Sequence, residues 1–365
     1  MASFEQNKKN KKWSVRFRDT INGVEKNMRL SGYKTKKEAQ TAYIEYENKR
    51  KLERDKEEQG KIESAKNMYF ETLKEKYLEH VKSRNKYSSW YSTQNKIEKN
   101  IAPYFDEKQI KDITPLEILI WQQSIDALSF NYKRGLRALL NSIFKFGERY
   151  YDIKNVVAKV EPFRNLEAKK EMLHWTLDEF QKFIEKVESY EYEMFFRFLY
   201  ITGCRKGEAL ALSWNDFLLD YGKVVINKSM TRKAQEGAYA ITTPKNVTSN
   251  RTIDLPENFI EQMRNYRKWQ QENKKKFDFV FGGERPFAET TTDRLFRSAC
   301  EKADVKRIRI HDLRHSCASL LISEGVNIVA VSKRLGHKNI EQTLNTYSHM
   351  MPDDVTKMLK VLQNI

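Results

Sequence analysis

Cysteine is scarce in this chain: Cys204, Cys300 and Cys317 are the only three in 365 residues. Odd in number and far apart, they form neither a disulfide framework nor a CxxC zinc spacing, which fits a reducing compartment and no metal site. No apolar run reaches the roughly eighteen residues that a membrane span needs, and the start, MASFEQNKKNKKW, carries no apolar leader segment. A cytoplasmic protein without a membrane partner is expected. No GxxxxGK(S/T) motif occurs, and FGG at 281–283 is too short for a nucleotide-binding fingerprint, so nothing calls for ATP or another cofactor. Proline- or serine-rich low-complexity tracts and internal repeats are missing too. Histidine is also rare, at six residues, yet four of them fall within 311–350.

What is abundant is positive charge. Lys and Arg total 67 against 50 Asp and Glu, a formal charge of +17 and a pI near 9.5. Spread along most of the chain, that excess is the electrostatic footprint of a polyphosphate binder, with nucleic acid the natural partner. The length is enough for two or three domains with separate cores.

The histidine-rich stretch begins HDLRH and continues through LGH to TYSH, placing His311, Arg314, His315, His337 and Tyr347 within forty residues. His311, Arg314 and His315 stand at i, i+3 and i+4, and Cys317, Ala318, Leu320 and Leu321 continue the pattern as a helix, so the three share one face. An arginine fork matches phosphate oxygens two at a time, and imidazoles can donate to the same oxygens. Tyr347 adds a reactive group. A phenol is a poor nucleophile at neutral pH, but beside Arg and His it can be stabilised as phenoxide and attack phosphorus.

Further upstream, the apolar run Met194 to Ile201 leads into Thr202-Gly203-Cys204-Arg205-Lys206-Gly207-Glu208, and Thr243-Pro244-Lys245 is followed by Ser249, Asn250 and Arg251. With HDLRH, LGH and TYSH, these segments resemble the catalytic signature of the tyrosine recombinases, the family of phage and conjugative-element integrases. The resemblance implies a catalytic set of Arg205, Lys245, His311, Arg314, His337 and the nucleophile Tyr347. Glu208 is expected to orient an arginine or cap a helix, and His315 to lie behind the catalytic groups. Lys228, Arg232 and Lys233 are the positions with which Lys245 is most easily confused.

The rest of the chain is read in the same frame. Trp13, Val15 and Phe17 alternate with Ser14, Arg16 and Arg18, giving a strand with one buried and one basic face. Asn22-Gly23 marks a hairpin turn, residues 24–30 supply a second and a third strand, and Thr35 with Glu38 opens a helix. Residues 1–50 hold 13 basic and 6 acidic side chains; this unit is similar to the arm-binding domains of phage-type integrases, with Arg16 and Arg18 facing DNA. Residues 57–66, at the end of the charged stretch 51–66, are expected as a partly helical linker after a domain at 1–56.

Residues 67–165 carry helical stripes (Phe70, Leu73, Tyr77, Val81; Trp90, Ile97, Ile101) and resemble the family's helical core-binding domain, with Lys133, Arg134 and Arg137 as phosphate contacts. Residues 166–365 are expected to form a mixed α+β catalytic domain with one three-stranded sheet (223–226, 239–242, 252–255) and an amphipathic tail helix. The expected fold class is therefore multidomain, mainly α with small β-sheets.

The resemblance implies a site-specific recombinase that joins and excises a mobile element through a 3′-phosphotyrosine, needing no metal or nucleotide. Its partners would be double-stranded DNA attachment sites and three further copies of the chain, with a directionality factor and a DNA-bending protein as accessory candidates, in a bacterial nucleoid. A type IB topoisomerase and an inactive DNA-binding protein are the rival readings.

Overall fold

The computed structural model describes residues 2–7, 10–21, 24–165, 172–243, 250–274, 276–337 and 339–348, with backbone alone at 21, 24, 57–59, 61–66 and 342. The chain divides into two compact units, Met1–Leu166 and Glu167–Ile365.

In the first unit, strands β1 (Ser3–Gln6), β2 (Trp13–Ile21) and β3 (Val24–Tyr33) form an antiparallel sheet in that order. Val15 and Phe17 are buried, and Phe17 packs on Tyr43 and Tyr46 of helix α1 (Lys36–Lys66). Asp19 continues the inward register. Its buried carboxylate accepts from Tyr46 Oη and Arg50 Nε, each at 2.8 Å, and pairs with Arg54. Burial works to raise its pKa, but those bonds outweigh it and hold the carboxyl below its ordinary range. Arg16 and Arg18 lie exposed on the other face, with Arg29 directly across from Arg16.

Two expectations are corrected here. The third strand is Ser3–Gln6, because Val24–Tyr33 pairs with β2 as one strand along its length. Residues 51–66, expected to be partly helical, are helical throughout as the continuation of α1. Their Lys, Glu and Arg side chains are good helix formers, and charged pairs such as Arg50–Glu53, at 2.7 Å, support the turn. The turn expected at Asn22-Gly23 lies outside the described residues.

Helices α2 (Phe70–Arg84), α3 (Tyr87–Asn100), α4 (Ala102–Phe105), α5 (Pro115–Ser124) and α6 (Phe130–Tyr151) follow, all helical as expected. Phe70, Phe105, Trp121, Leu140 and Phe144 form their core, and Trp121 Nε1 donates to the Asn100 carbonyl at 2.8 Å.

The second unit opens with α7 (Leu177–Ile184), whose Thr176–Glu179 capping box is complete. Helix α8 (Tyr190–Thr202) buries Phe195, Phe196 and Phe198 and stops at Gly203, ahead of the single turn α9 (Lys206–Ala209). Strands β4 (Phe217–Leu218), β5 (Lys223–Ile226) and β8 (Arg251–Asp254) make one antiparallel sheet, while β6 (Ser229–Thr231) and β7 (Ala240–Thr242) pair separately. This corrects the expected three-stranded sheet. Segment 240–242 pairs locally with 229–231, and its Ile241 is exposed, so it has no apolar face to offer the main sheet.

Helices α10 (Glu257–Asn273), α11 (Glu289–Lys302), α12 (Asp312–Ser323), α13 (Ile328–Leu335) and α14 (Ile340–Tyr347) complete the unit. A small separate core joins Ala318, Ile322, Val331, Leu335 and Tyr347. No described helix is long and apolar enough to cross a membrane.

Two glycines give opposite expectations. Gly203 has φ +63°, and an added Cβ would stand 2.7 Å from Leu335 Cδ2. Gly203→Ala is expected to destabilise the protein by about 1–3 kcal/mol. Gly135 lies inside α6 with nothing within 4 Å of its Cβ position, so Gly135→Ala is expected to stabilise by up to about 1 kcal/mol. Denaturant unfolding of both variants checks this, and the same sign for both would contradict the stated backbone conformations.

Candidate active site

The site is built from the ends of elements. Gly203 takes the left-handed conformation that stops α8, and the chain then turns so that Arg205 caps α9. One turn later, Glu208 is buried and reaches back. Its Oε2 accepts from the Arg205 backbone N–H at 3.0 Å, and its Oε1 from Arg205 Nη1 at 2.8 Å. Oε2 also accepts from Arg251 Nη2 at 2.8 Å. Burial pushes the carboxyl pKa up, but the bonds and charge of Arg251, with those of Arg205, more than reverse this and Glu208 stays ionised. Glu208 thus bonds both the backbone and the side chain of Arg205 at the start of the turn.

Helix α12 begins at Asp312, with His311 as its N-cap, and carries Arg314 and His315 in its first turn. Arg314 is only 3 % exposed. Its Nη1 donates to the Gly203 carbonyl at 2.7 Å, whereas Nη2 is buried with no acceptor among the described residues. Burial, then the charges of Arg205 and Arg251, push its pKa down to about 10, against the pull of Glu208. The guanidinium remains cationic at neutral pH and keeps a donor to offer an anion. Arg205 and His311 also line a groove of about 510 Å³ with Lys206, Arg297, Arg307 and Arg309.

His337 follows Gly336, which ends α13 in the left-handed conformation. Its Nδ1 lies 2.8 Å from the Thr343 hydroxyl. If that hydroxyl donates, the ring proton sits on Nε2 and can be given to an oxygen elsewhere. Tyr347 ends α14, is 1 % exposed, and places its hydroxyl 2.6 Å from His315 Nδ1. His315, expected behind the groups named as catalytic, therefore meets the phenol itself. The His311 ring stands against the His315 ring at 5.4 Å, perpendicular to it.

Burial lowers all three histidine pKa values, with smaller contributions from neighbouring cations. For His311 the main cation is Arg314; His315 and His337 fall to about 4. Burial raises that of Tyr347 above its ordinary value.

The structure thus joins Arg205 to Glu208 and His315 to Tyr347 by direct bonds, stands His311 against His315, and sets Arg314 and His337 within reach of the same charges. Lys245, His349 and the tail expected as a helix lie outside the described residues. Two of the positions that compete with Lys245 are engaged elsewhere: Lys228 pairs with Asp216 at 2.7 Å, and Arg232 donates to the Phe287 carbonyl at 2.6 Å.

Of the five expected DNA-contact side chains, Arg16, Arg18 and Arg134 are exposed. Lys133 is tied to Asp126, and Arg137 donates to the carbonyls of Val157 and Val160, so the inward bonds of these two are structural. Sequence reasoning gave no role to Arg251 or Thr343. Arg251 stood in the sequence only as the end of the Lys245 segment and the start of an alternating strand, and Thr343, which the structure buries completely, carried no specific signal.

A comparison with known families agrees with this geometry. The phage integrase family profile matches residues 172–353, and the profile described as the phage integrase N-terminal SAM-like domain matches 69–125. The ICEBs1 integrase of Bacillus subtilis is 25 % identical over 348 residues, 91 % of this chain and 92 % of that protein. The fold is similar to that of the Tn1549 transposon integrase in complex with transposon right end DNA, with a TM-score of 0.68 at 18 % identity over 81 % of this chain and all of that one. It is also similar to the lambda integrase in a tetramer bound to a Holliday junction, at 0.59 and 17 % over 92 % of this chain and 95 % of that one. The chain belongs to the phage integrase family and is a tyrosine recombinase of the phage and integrative-element type.

The lowered histidine pKa values predict a pH dependence of stability. Unfolded imidazole titrates near pH 6.5, so between that value and about 4 the unfolded chain binds more protons than the folded one at His315 and His337. The stability linked to these groups is intact above about pH 6.5 and is lost as the pH falls toward 4. The melting temperature should drop from pH 7.5 to pH 5, and the double variant His315→Gln/His337→Gln should show a flatter dependence. An unchanged slope in that variant would place the acid sensitivity in other groups.

Proposed function

We propose that this integrase cuts and rejoins duplex DNA at defined sites through Tyr347, with Arg205 and Arg314 holding the reacting phosphate. The observation that carries the reading is the buried Arg314 guanidinium. One arm is fixed to the Gly203 carbonyl and the other is an unmet donor, in a site whose charge is dominated by Arg205, Arg251 and Arg314. A phosphodiester supplies the acceptors that such a donor set needs, and its charge grows as phosphorus becomes pentacovalent.

In the proposed step the Tyr347 oxygen bonds to phosphorus, the bond to the 5′-oxygen breaks, and that oxygen leaves as a 5′-hydroxyl after taking a proton. Lys245 is the expected acid. His337, with the Thr343 hydroxyl donating to Nδ1, gives its Nε2–H to a non-bridging oxygen, and His311 and His315 serve the phenol's proton. One phosphate ester replaces another, so the link can be resealed onto a different 5′-hydroxyl with no energy source.

The same reading gives residues 1–56 to accessory arm sites, 67–165 to the core site and 166–365 to chemistry. The exposed Arg16, Arg18 and Arg29 on one sheet face support the first assignment. Four copies on two duplexes are the expected working assembly, supported by the tetramer in which the lambda integrase was solved. Integration and excision would take place on chromosomal DNA, with a directionality factor and a bending protein as candidate helpers.

The test uses full-length wild type and Tyr347→Phe with nicked attachment-site DNA in EDTA and without ATP, resolved on a denaturing gel. Wild type is expected to leave a protein adduct at the DNA 3′ end. Tyr347→Phe should give none while binding DNA within about threefold of wild type, since only one hydroxyl is lost. Binding without an adduct from wild type, on a true site, would leave a DNA-binding protein without this chemistry.

A further inference from the structure

Arg251 carries none of the roles above, yet it joins two segments of the site. We propose that Arg251 is a positioning residue that sets Arg205, through Glu208, and His337, through the turn before it, around the scissile phosphate. The inference rests on the catalytic reading of Arg205 and His337.

Arg251 is the first residue of β8 and its side chain is 7 % exposed. Nη2 donates to Glu208 Oε2 at 2.8 Å, and the other oxygen of that carboxylate holds Arg205 Nη1 at 2.8 Å. Nε donates to the carbonyl of Arg334 at 2.7 Å, near the end of α13. Two residues on, Gly336 lies against the guanidinium. A Cβ there would stand 3.0 Å from Nη1 and 3.1 Å from Cδ, and φ is +69°. The next residue is His337. A single planar fork therefore fixes the carboxylate behind one proposed phosphate ligand and the turn that presents another. A lysine ammonium is a point donor on a flexible stem and does not reproduce both bonds in one plane.

Charge gives a second reason. If Glu208 paired with Arg205 alone, it would neutralise the group that must attract phosphate. Sharing the carboxylate between Arg205 and Arg251, with Arg314 alongside, leaves three guanidiniums facing one carboxylate and so keeps the cluster cationic. It also keeps Glu208 ionised despite burial.

The experiment compares full-length wild type, Arg251→Gln, Arg251→Lys and the double variant Glu208→Gln/Arg251→Gln. Single-turnover cleavage of nicked site DNA is followed from pH 5.5 to 8.5, with DNA binding and thermal unfolding measured in parallel. Arg251→Gln is expected to cleave about 10–100-fold more slowly at saturating DNA, the usual scale for a misplaced catalytic group, with binding within about threefold. Its acid limb should move to higher pH than that of wild type, because Glu208 loses the partner that keeps it ionised; in the double variant the shift should disappear. Arg251→Lys should keep the wild-type limb at an intermediate rate.

A folded Arg251→Gln that cleaves within threefold of wild type overturns the proposal. So does a slow one whose acid limb stays in place, since a purely structural ion pair would give that pattern. Should Arg251→Gln fail to fold, Arg251→Lys decides: full wild-type speed would show that the fork is not needed. Absence of an adduct from wild type would instead remove the catalytic reading itself, an outcome separate from the behaviour of the variants.

Discussion

A single buried carboxylate, Glu208, lets several guanidiniums stand near one another inside the second unit. Burial depresses the pKa of Arg314 most, and the repulsion of Arg205 and Arg251 adds to it. Like charges in a poorly solvated interior repel strongly, so such a cluster persists only where an anion and the surrounding fold compensate. Glu208 supplies the anion and bonds to both Arg205 and Arg251. The Gly203 carbonyl supplies a further acceptor for Arg314. An uncompensated positive excess remains, which is the property required of a phosphate receptor.

Holding that arrangement is the task of the second unit's core. Helix α8 is packed through Phe195, Phe196 and Phe198 against Phe281, Phe287 and Phe296 among others, so its C-terminal end cannot drift. Gly203 contacts α12 and α13 through Cys317 and Leu335 at distances that leave no room for a Cβ. The active groups sit at element ends, where backbone donors and acceptors remain open, and the aromatic interior behind them fixes where those ends point. Packing of this density is felt at the scale of one methyl group, which is why a glycine in this corner matters to the position of an arginine.

Much of this was legible in the sequence, for local reasons. The helices of 67–165 declare themselves by apolar spacing, and Thr114 and Thr176, each with a glutamate three residues on, cap the helices that follow them. The pairing i, i+3, i+4 correctly puts His311, Arg314 and His315 at the start of one helix. What failed to show was non-local or masked by composition. Strand 240–242 could have joined either of two neighbours, and the choice for 229–231 depends on which face has somewhere to be buried. The two-residue strand Phe217–Leu218 is too short to have a period. Residues 51–66 read as only partly helical because they lack an apolar stripe, although charged residues with good propensity can extend a helix that is already nucleated. The His315–Tyr347 bond spans 32 positions, and spacing along the chain cannot foresee it.

That last bond bears on when the phenol can react. Its partner imidazole, with a pKa near 4, is a weak base, while burial has pushed the phenol above its ordinary value near 10. Both shifts, each caused chiefly by burial, disfavour moving the proton from Tyr347 to His315 in this arrangement. The bond as it stands therefore holds a neutral, water-shielded phenol. A phosphate seated between Arg205 and Arg314 would change the balance. The anion would favour protonated imidazoles, and the charge of Arg314 already favours phenoxide. Under the proposed function the arginines would contribute twice, by holding the phosphate and by favouring the phenoxide, while the small core around Ala318, Ile322, Val331 and Leu335 buries the phenol.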